Sequence, residues 1–239
     1  MPSSRRKALG LVAGGAIMAG TVSGLLRRRG DGMDIAPHPR VPGFYSLKAG
    51  NVTGRLPDPF FGLEDATEPP PGDLARLFQP LDEGAVPVAS FSDYNCPYCR
   101  AVSRLLQSEA SSGGIDITWH ELPLLGPGSV EGARAALAAR LQGRYLAMHT
   151  RLMSSRFQPN AAYLREISSE LGLDADRLLS DMYGASVQNA LAESAGLAQL
   201  FGIHGTPALV VGRVLVLGNL RQSDLRALVA REAQSPARG

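Results

Sequence analysis

Phe91-Ser92-Asp93-Tyr94-Asn95-Cys96-Pro97-Tyr98-Cys99-Arg100 carries the only two cysteines of the 239-residue chain. An apolar run (Val86, Val88, Ala89, Phe91) precedes the pair and a helical pattern (Val102, Leu105, Leu106) follows it. The cysteines therefore fall where a strand hands over to a helix, and there a C-x-x-C reads as a dithiol–disulfide redox pair. At a helix N-terminus Cys96 would meet unpaired backbone N–H groups and the positive end of the dipole, and both stabilise a thiolate. Pro97 suits the first helical position, where its missing N–H costs nothing. Cys99, one turn further in, can close a disulfide or resolve a mixed one. A structural disulfide is the weaker reading, because so short a loop constrains the unfolded chain little. Half of a zinc site would need two more ligands; no second C-x-x-C or H-x-x-x-H is present, and His38, His120, His149 and His204 are scattered. Neither a cofactor nor a metal is expected.

A second anchor lies at Gly205-Thr206-Pro207, followed by Ala208-Leu209-Val210-Val211. Proline cannot donate to a sheet ladder, so it belongs at the first residue of that buried strand. In a thioredoxin fold such a proline follows a cis bond and faces the redox pair. The backbone before it is then free to pair with an extended substrate strand. Trans is the commoner state of an X–Pro bond taken alone; the upstream C-x-x-C turns the expectation to cis.

These two segments, with Glu121-Leu122-Pro123-Leu124-Leu125-Gly126-Pro127 and the Ala-rich stretch after it, resemble bacterial DsbA-like thiol-disulfide oxidoreductases. The likeness runs in order over about residues 74–233. It implies an α/β thioredoxin fold with a helical insertion between the second and third strands, an envelope location, and disulfide exchange with cysteine-containing proteins. It implies catalytic roles for Cys96 and Cys99, with Pro97, Tyr98, Thr206 and Pro207 tuning the pair and docking substrate. A membrane redox partner that resets the disulfide is implied as well. Oxidation of substrates is the leading expectation. Disulfide isomerase or reductase activity stays open, because threonine before the proline is also similar to those relatives. Pro97-Tyr98 likewise resembles glutaredoxins and departs from the Pro-His pair of the strongest oxidants; a glutathione-dependent role sits poorly with an export signal. An alternative of another class is a non-catalytic metal-binding module whose thiolates hold copper or another soft ion. No Met- or His-rich flank supports it.

Residues 1–29 read as an export signal or membrane anchor. Ser4-Arg5-Arg6-Lys7 precedes an apolar, Gly-rich stretch from Ala8 to Leu26, closed by Arg27-Arg28-Arg29. A twin arginine before a weakly hydrophobic core resembles a twin-arginine export signal. The nineteen-residue stretch is just long enough to persist as an anchor. The location expected is the periplasm, in free form or anchored to the inner membrane facing it. The leader holds six basic and no acidic residues, leaving 18 Lys and Arg against 22 Asp and Glu in the rest, a net −4. The pI near 8.7 thus belongs to the leader, and no nucleic-acid partner is expected.

Residues 30–73 are rich in proline and glycine and read as an arm or linker without elements of its own, with Phe44, Tyr45, Phe60 and Phe61 as docking points. The single domain spans 74–233, with a helical insertion at about 129–201 and a flexible tail at 234–239. Periodicity predicts strands at 86–91 and around Ile115, Ile117 and Trp119, and helices at 130–142, 144–154, 160–171, 175–183 and 185–201. A hairpin follows at 210–217 around Gly212-Arg213, then a last helix capped by Ser223. Ser129, Asn160 and Asp174 are expected as N-caps, and Gly172, Gly184 and Gly202 as helix stops. Asp93 is expected to form a turn or face outward, His204 to be solvated, and His149 and Trp119 to lie in the core or on a helix surface.

Overall fold

The computed structural model describes residues 33–54, 71–79, 84–155 and 159–235. The leader at 1–29, Phe60 and Phe61, and the end of the tail lie outside the described residues. Strand β3 (Val86–Ser92) pairs in parallel with the edge strand β4 (Ile115–Glu121), from Val86↔Ile115 to Ser92↔Glu121. Nearly all of β3 is buried, as expected for a strand covered on both faces. On its other side β5 (Ala208–Val211) pairs antiparallel and turns back at Gly212 (φ 55°) into β6 (Val214–Leu217).

Two further strands appear where the sequence suggested an arm without elements. β1 (Ile35–Pro37) and β2 (Tyr45–Lys48) form an antiparallel pair, and β2 adds to β6 in parallel from Tyr45↔Val214 to Lys48↔Leu217. The sheet order is β1-β2-β6-β5-β3-β4. Strands of three and four residues carry no readable period; their order comes from the edge that β6 offers and from a histidine. His38 Nδ1 accepts the Val41 and Arg40 N–H groups, which leaves Nε2–H to donate to Phe201 O at 3.1 Å. Phe44 then packs edge-on against Phe201, so this expected docking point does dock.

The helices are α1 (Pro97–Ala110), α2 (Pro127–Arg140), α3 (Tyr145–Ser154), α4 (Ala161–Leu171), α5 (Ala175–Asp181), α6 (Ala185–Phe201) and α7 (Gln222–Ala233). This is a thioredoxin-like fold, and α2–α6 form the insertion between β4 and β5. Asn160 and Asp174 cap α4 and α5 as expected, and Gly172 and Gly202 end α4 and α6 in the left-handed region. Three expected caps are corrected. Helix α2 starts earlier, at Pro127 after Gly126 (φ 99°), and the Ser129 hydroxyl is taken by Asp93. Gly184 begins α6 rather than ending α5, and Arg221, not Ser223, precedes α7.

There are two apolar clusters, one on the sheet and one in the insertion. One joins Phe91, Leu122, Val210 and Leu215 to Leu197 and Phe201 of α6. The other lies within the insertion, where the alanines of α2 meet Met148, Leu164, Ile167 and the inner side of the cysteine helix. A Cβ at Gly132 would lie 2.9 Å from the Tyr94 ring, so glycine lets α2 close onto that ring. All these elements belong to a unit that begins at Ile35. Among the described residues no helix is long and apolar enough to cross a membrane.

Candidate active site

The strand-to-helix turn places Cys96 as the N-cap of α1 and Pro97 in its first turn. Cys96 is extended (φ −79°, ψ 116°), and its Sγ accepts the Cys99 N–H at 3.2 Å, the bond an N-cap oxygen would make. Across from it stands the loop before β5, where the Thr206–Pro207 bond is cis. While protonated, the Cys96 thiol donates to Thr206 O at 3.4 Å. Both cysteines are free thiols and both are shielded from solvent. Pro97 is exposed, Tyr98 half-buried against the insertion core, and Thr206 and Pro207 buried. The structure thus brings Cys96, Cys99, Thr206 and Pro207 to one end of the sheet. His204 points away: it is exposed, with Nδ1 on Gly202 O.

The two sulfurs differ electrostatically. Cys96 is lowered to about 6, chiefly by the hydrogen bond from the Cys99 thiol, against the opposing effect of burial. The Thr53 hydroxyl, the Cys99 N–H and the Thr206 side chain add to the lowering. Cys99 is pushed well above its ordinary value, first by burial and then by the hydrogen bond and charge of Cys96. One proton is therefore held at Cys99 while Cys96 carries the charge. The Thr206 hydroxyl is buried with no well-aligned partner among the described residues, yet it is near enough to favour both thiolates.

Asp93 corrects an expectation. It does form a local turn, accepting Asn95 N–H at 2.7 Å, but it is buried rather than outward. The oxygen that takes Asn95 N–H also accepts the Ser129 hydroxyl; the other takes Leu124 and Leu125 N–H at 2.7 and 3.0 Å. The carboxylate thereby ties the cysteine loop to the loop after β4 and to the start of α2. Burial raises its pKa despite these four bonds.

Next to it runs a buried polar network that the sequence reading did not identify. Tyr94 and Tyr145 both donate to Glu121 Oε1, at 2.7 and 2.5 Å. Since Tyr94 has spent its proton, its oxygen must accept from His149 Nδ1–H at 2.9 Å, which leaves Nε2 to accept the Ser103 hydroxyl at 2.8 Å. Burial, then the charge of Glu121, raises both phenols well above the usual range. Trp119 and Tyr145 pack their rings against His149, so both His149 and Trp119 belong to this region. His120, by contrast, is held neutral: burial lowers it to about 4, and Nε2 donates to Leu77 O. Among the described residues no group of three or more His, Cys, Asp or Glu side chains could hold a metal ion.

A dithiol at a helix N-terminus, opposite a cis-proline on a thioredoxin sheet, defines the thiol-disulfide oxidoreductase class. The chain belongs to the DSBA-like thioredoxin domain family, whose model matches residues 87–230, more than half of its length. A thioredoxin-like oxidoreductase from Silicibacter pomeroyi DSS-3 is 38% identical, with a TM-score of 0.62 over 69% of this chain and 99% of that one. A periplasmic thioredoxin-like protein from Salmonella enterica serovar Typhimurium is 26% identical, with a TM-score of 0.56 over 67% and 95%. The Na(+)/H(+) antiporter NhaA 3 of Salinispora tropica is 33% identical over 159 residues, 63% of this chain. The chain spans only 23% of the length of that antiporter.

Proposed function

We propose that this protein is an envelope thiol-disulfide oxidoreductase that oxidises cysteine-containing polypeptides through Cys96 and Cys99. The observation that carries this reading is the placement of the two sulfurs: Cys96 caps α1 opposite the cis Thr206–Pro207 bond and accepts the Cys99 N–H, while Cys99 is buried behind it. A thiolate stabilised at Cys96 favours the reduced enzyme, and that makes the oxidised enzyme a stronger oxidant. A value of about 6 sits inside the span of about 3.5 to 7.5 for activated thiols.

In the forward reaction a substrate thiolate attacks Cys96 Sγ of the Cys96–Cys99 disulfide. A mixed disulfide forms, the Cys96–Cys99 bond breaks, and Cys99 leaves and takes up a proton, as its raised pKa favours. A second substrate thiolate then attacks the substrate sulfur of the mixed disulfide and expels Cys96 as a thiolate. The substrate has lost two electrons to the enzyme. A disulfide-bearing membrane protein linked to quinone would reoxidise the pair. Export and a periplasmic location follow the leader and the family. Pro97, Tyr98, Thr206 and Pro207 tune the pair and dock substrate in this reading.

Isomerase or reductase activity is the second reading, favoured by the threonine before the cis-proline. Trapping thiols in intact cells separates the two. A mainly oxidised pair is expected for the oxidase, whereas a mainly reduced pair would replace it with the isomerase or reductase. A state unmoved by added oxidant or reductant in folded protein would refute redox function.

A further inference from the structure

The residue before the cis-proline has already found a strand partner within this chain. Thr53 forms an antiparallel bridge with Thr206: Thr53 N–H donates to Thr206 O at 2.7 Å, and Thr206 N–H to Thr53 O at 2.8 Å. The Thr53 hydroxyl adds a second bond to Thr206 O at 3.3 Å, and the Cys96 thiol, while it is protonated, a third. No hydrogen-bonding capacity of the Thr206 backbone is left for another chain while this bridge stands.

The segment is seated by close contacts on both sides. A Cβ on Gly205 would lie 2.7 Å from Gly54 O and 3.1 Å from Thr53 O; a Cβ on Gly54 (φ 92°) would lie 3.3 Å from Leu124 Cβ. Upstream, Asn51 and Asn219 exchange bonds and hold the approach from β2. Beneath lies Cys96, wholly shielded from solvent, with the Thr53 hydroxyl against its sulfur. A sulfur that must be attacked in line by a second sulfur cannot stay so covered.

We infer that Asn51–Gly54 is a strand surrogate held in the substrate position, and that a polypeptide gains Cys96 by replacing the two backbone hydrogen bonds of Thr53 with its own. Thr53 then acts as a specificity-determining residue. An extended, flexible chain can substitute for it, and a folded surface with no free strand cannot. This rests on the thiol-exchange reading above and adds which substrates that site admits.

The test uses the reduced full-length protein and three variants. Thr53→Pro deletes the N–H that holds Thr206 O. Gly205→Ala sets a Cβ against Gly54 O and lifts the segment from the other side. Thr53→Val keeps the bridge and removes only the hydroxyl. Alkylation of Cys96 by iodoacetamide is read on the high-pH plateau, where the thiolate is fully formed, and exchange with a flexible cystine-containing peptide is read beside it. Thr53→Pro and Gly205→Ala are expected to raise the plateau rate on the order of tenfold, the effect of about one lost backbone hydrogen bond on a local opening. Peptide exchange should rise with it. Thr53→Val, which keeps both backbone bonds and loses only the long hydroxyl bond, should raise the plateau far less than Thr53→Pro and move the midpoint of the pH profile upward. Cooperative melting checks the fold, and Gly205→Ala decides alone if Thr53→Pro does not fold. An unchanged or slower plateau in folded variants overturns the inference. Alkylation needs no disulfide exchange, so a wild-type protein that is alkylated but exchanges nothing refutes the thiol-exchange reading while the plateau rates still judge the surrogate.

Discussion

Cys96 and Cys99 stand one helical turn apart and both border the insertion core, yet the groups that act on their charge differ. Cys96 faces the cis-proline end of the sheet, among hydroxyls and a backbone N–H that steady negative charge. Cys99 faces inward to the apolar core it shares with the insertion, where charge is penalised. The lesson is that the insertion does chemical work by exclusion. It supplies the dry side of an asymmetric pair, and the sheet supplies the polar side. Asp93 and the Tyr94–Glu121 network are the struts between the two.

The strongest way to break the comparison is Cys96→Ser. Serine keeps the N-cap, so α1 should stand, while peptide oxidation should fall by at least about a thousandfold. An assay of turnover together with a melting curve checks both halves of that statement. Cys99→Ser cannot form the Cys96–Cys99 disulfide and should not oxidise a dithiol peptide; offered a cystine-containing peptide, its Cys96 thiolate should accumulate a mixed disulfide visible by mass spectrometry, since the Cys99 thiol that would resolve it is gone.

Removing a strut comes next. Asp93→Ala strips four hydrogen bonds from a buried loop junction and should cost roughly 3 kcal/mol of stability in denaturant unfolding. Asp93→Asn should cost somewhat less, because its single amide oxygen can keep two of the four bonds and no charge is buried, although its NH2 then faces the donors of the other two.

The asymmetry also predicts a pH profile for the reduced protein measured against a Cys96→Ser/Cys99→Ser reference. The folded pKa of Cys96 lies below its ordinary 9.0, so its contribution is complete above pH 9 and is lost as pH falls towards about 6. Cys99 is raised, so it contributes only below its ordinary pKa and works against stability as pH climbs past 9. The differential stability should therefore rise from pH 6 to a maximum near 9 and then decline. A monotonic profile would show that the two sulfurs are not opposed. The smallest effect expected is that of Thr206→Val, which removes one hydroxyl near the sulfurs and should raise the Cys96 midpoint by about half a pH unit.

The cysteine pair, its helix and the strands on either side were legible because each rests on local pattern: an apolar run, a proline at the helix start, a proline before a strand. Asn160 and Asp174 were legible as caps for the same reason. What escaped is non-local. Asp93 looks like a turn residue three positions before Cys96, and only the amides of Leu124 and Leu125, over thirty positions away, make it a buried strut. Ser129 was misread as a cap because its hydroxyl answers that same carboxylate. Glu121 closes β4 between His120 and Leu122 in sequence, and its two tyrosine donors come from the cysteine loop and from α3. A carboxylate at the buried end of an apolar strand was the available signal. The short strands β1 and β2 escaped because each is shorter than any period, and their order is conferred by β6.

The most direct test of the account is a titration of thiolate absorbance in the reduced protein, repeated in Cys96→Ser. The account predicts one ionisation near pH 6 that vanishes in the variant, with Cys99 still protonated well beyond pH 9. Two sulfurs ionising together near pH 9, unchanged by the substitution at Cys96, would contradict it.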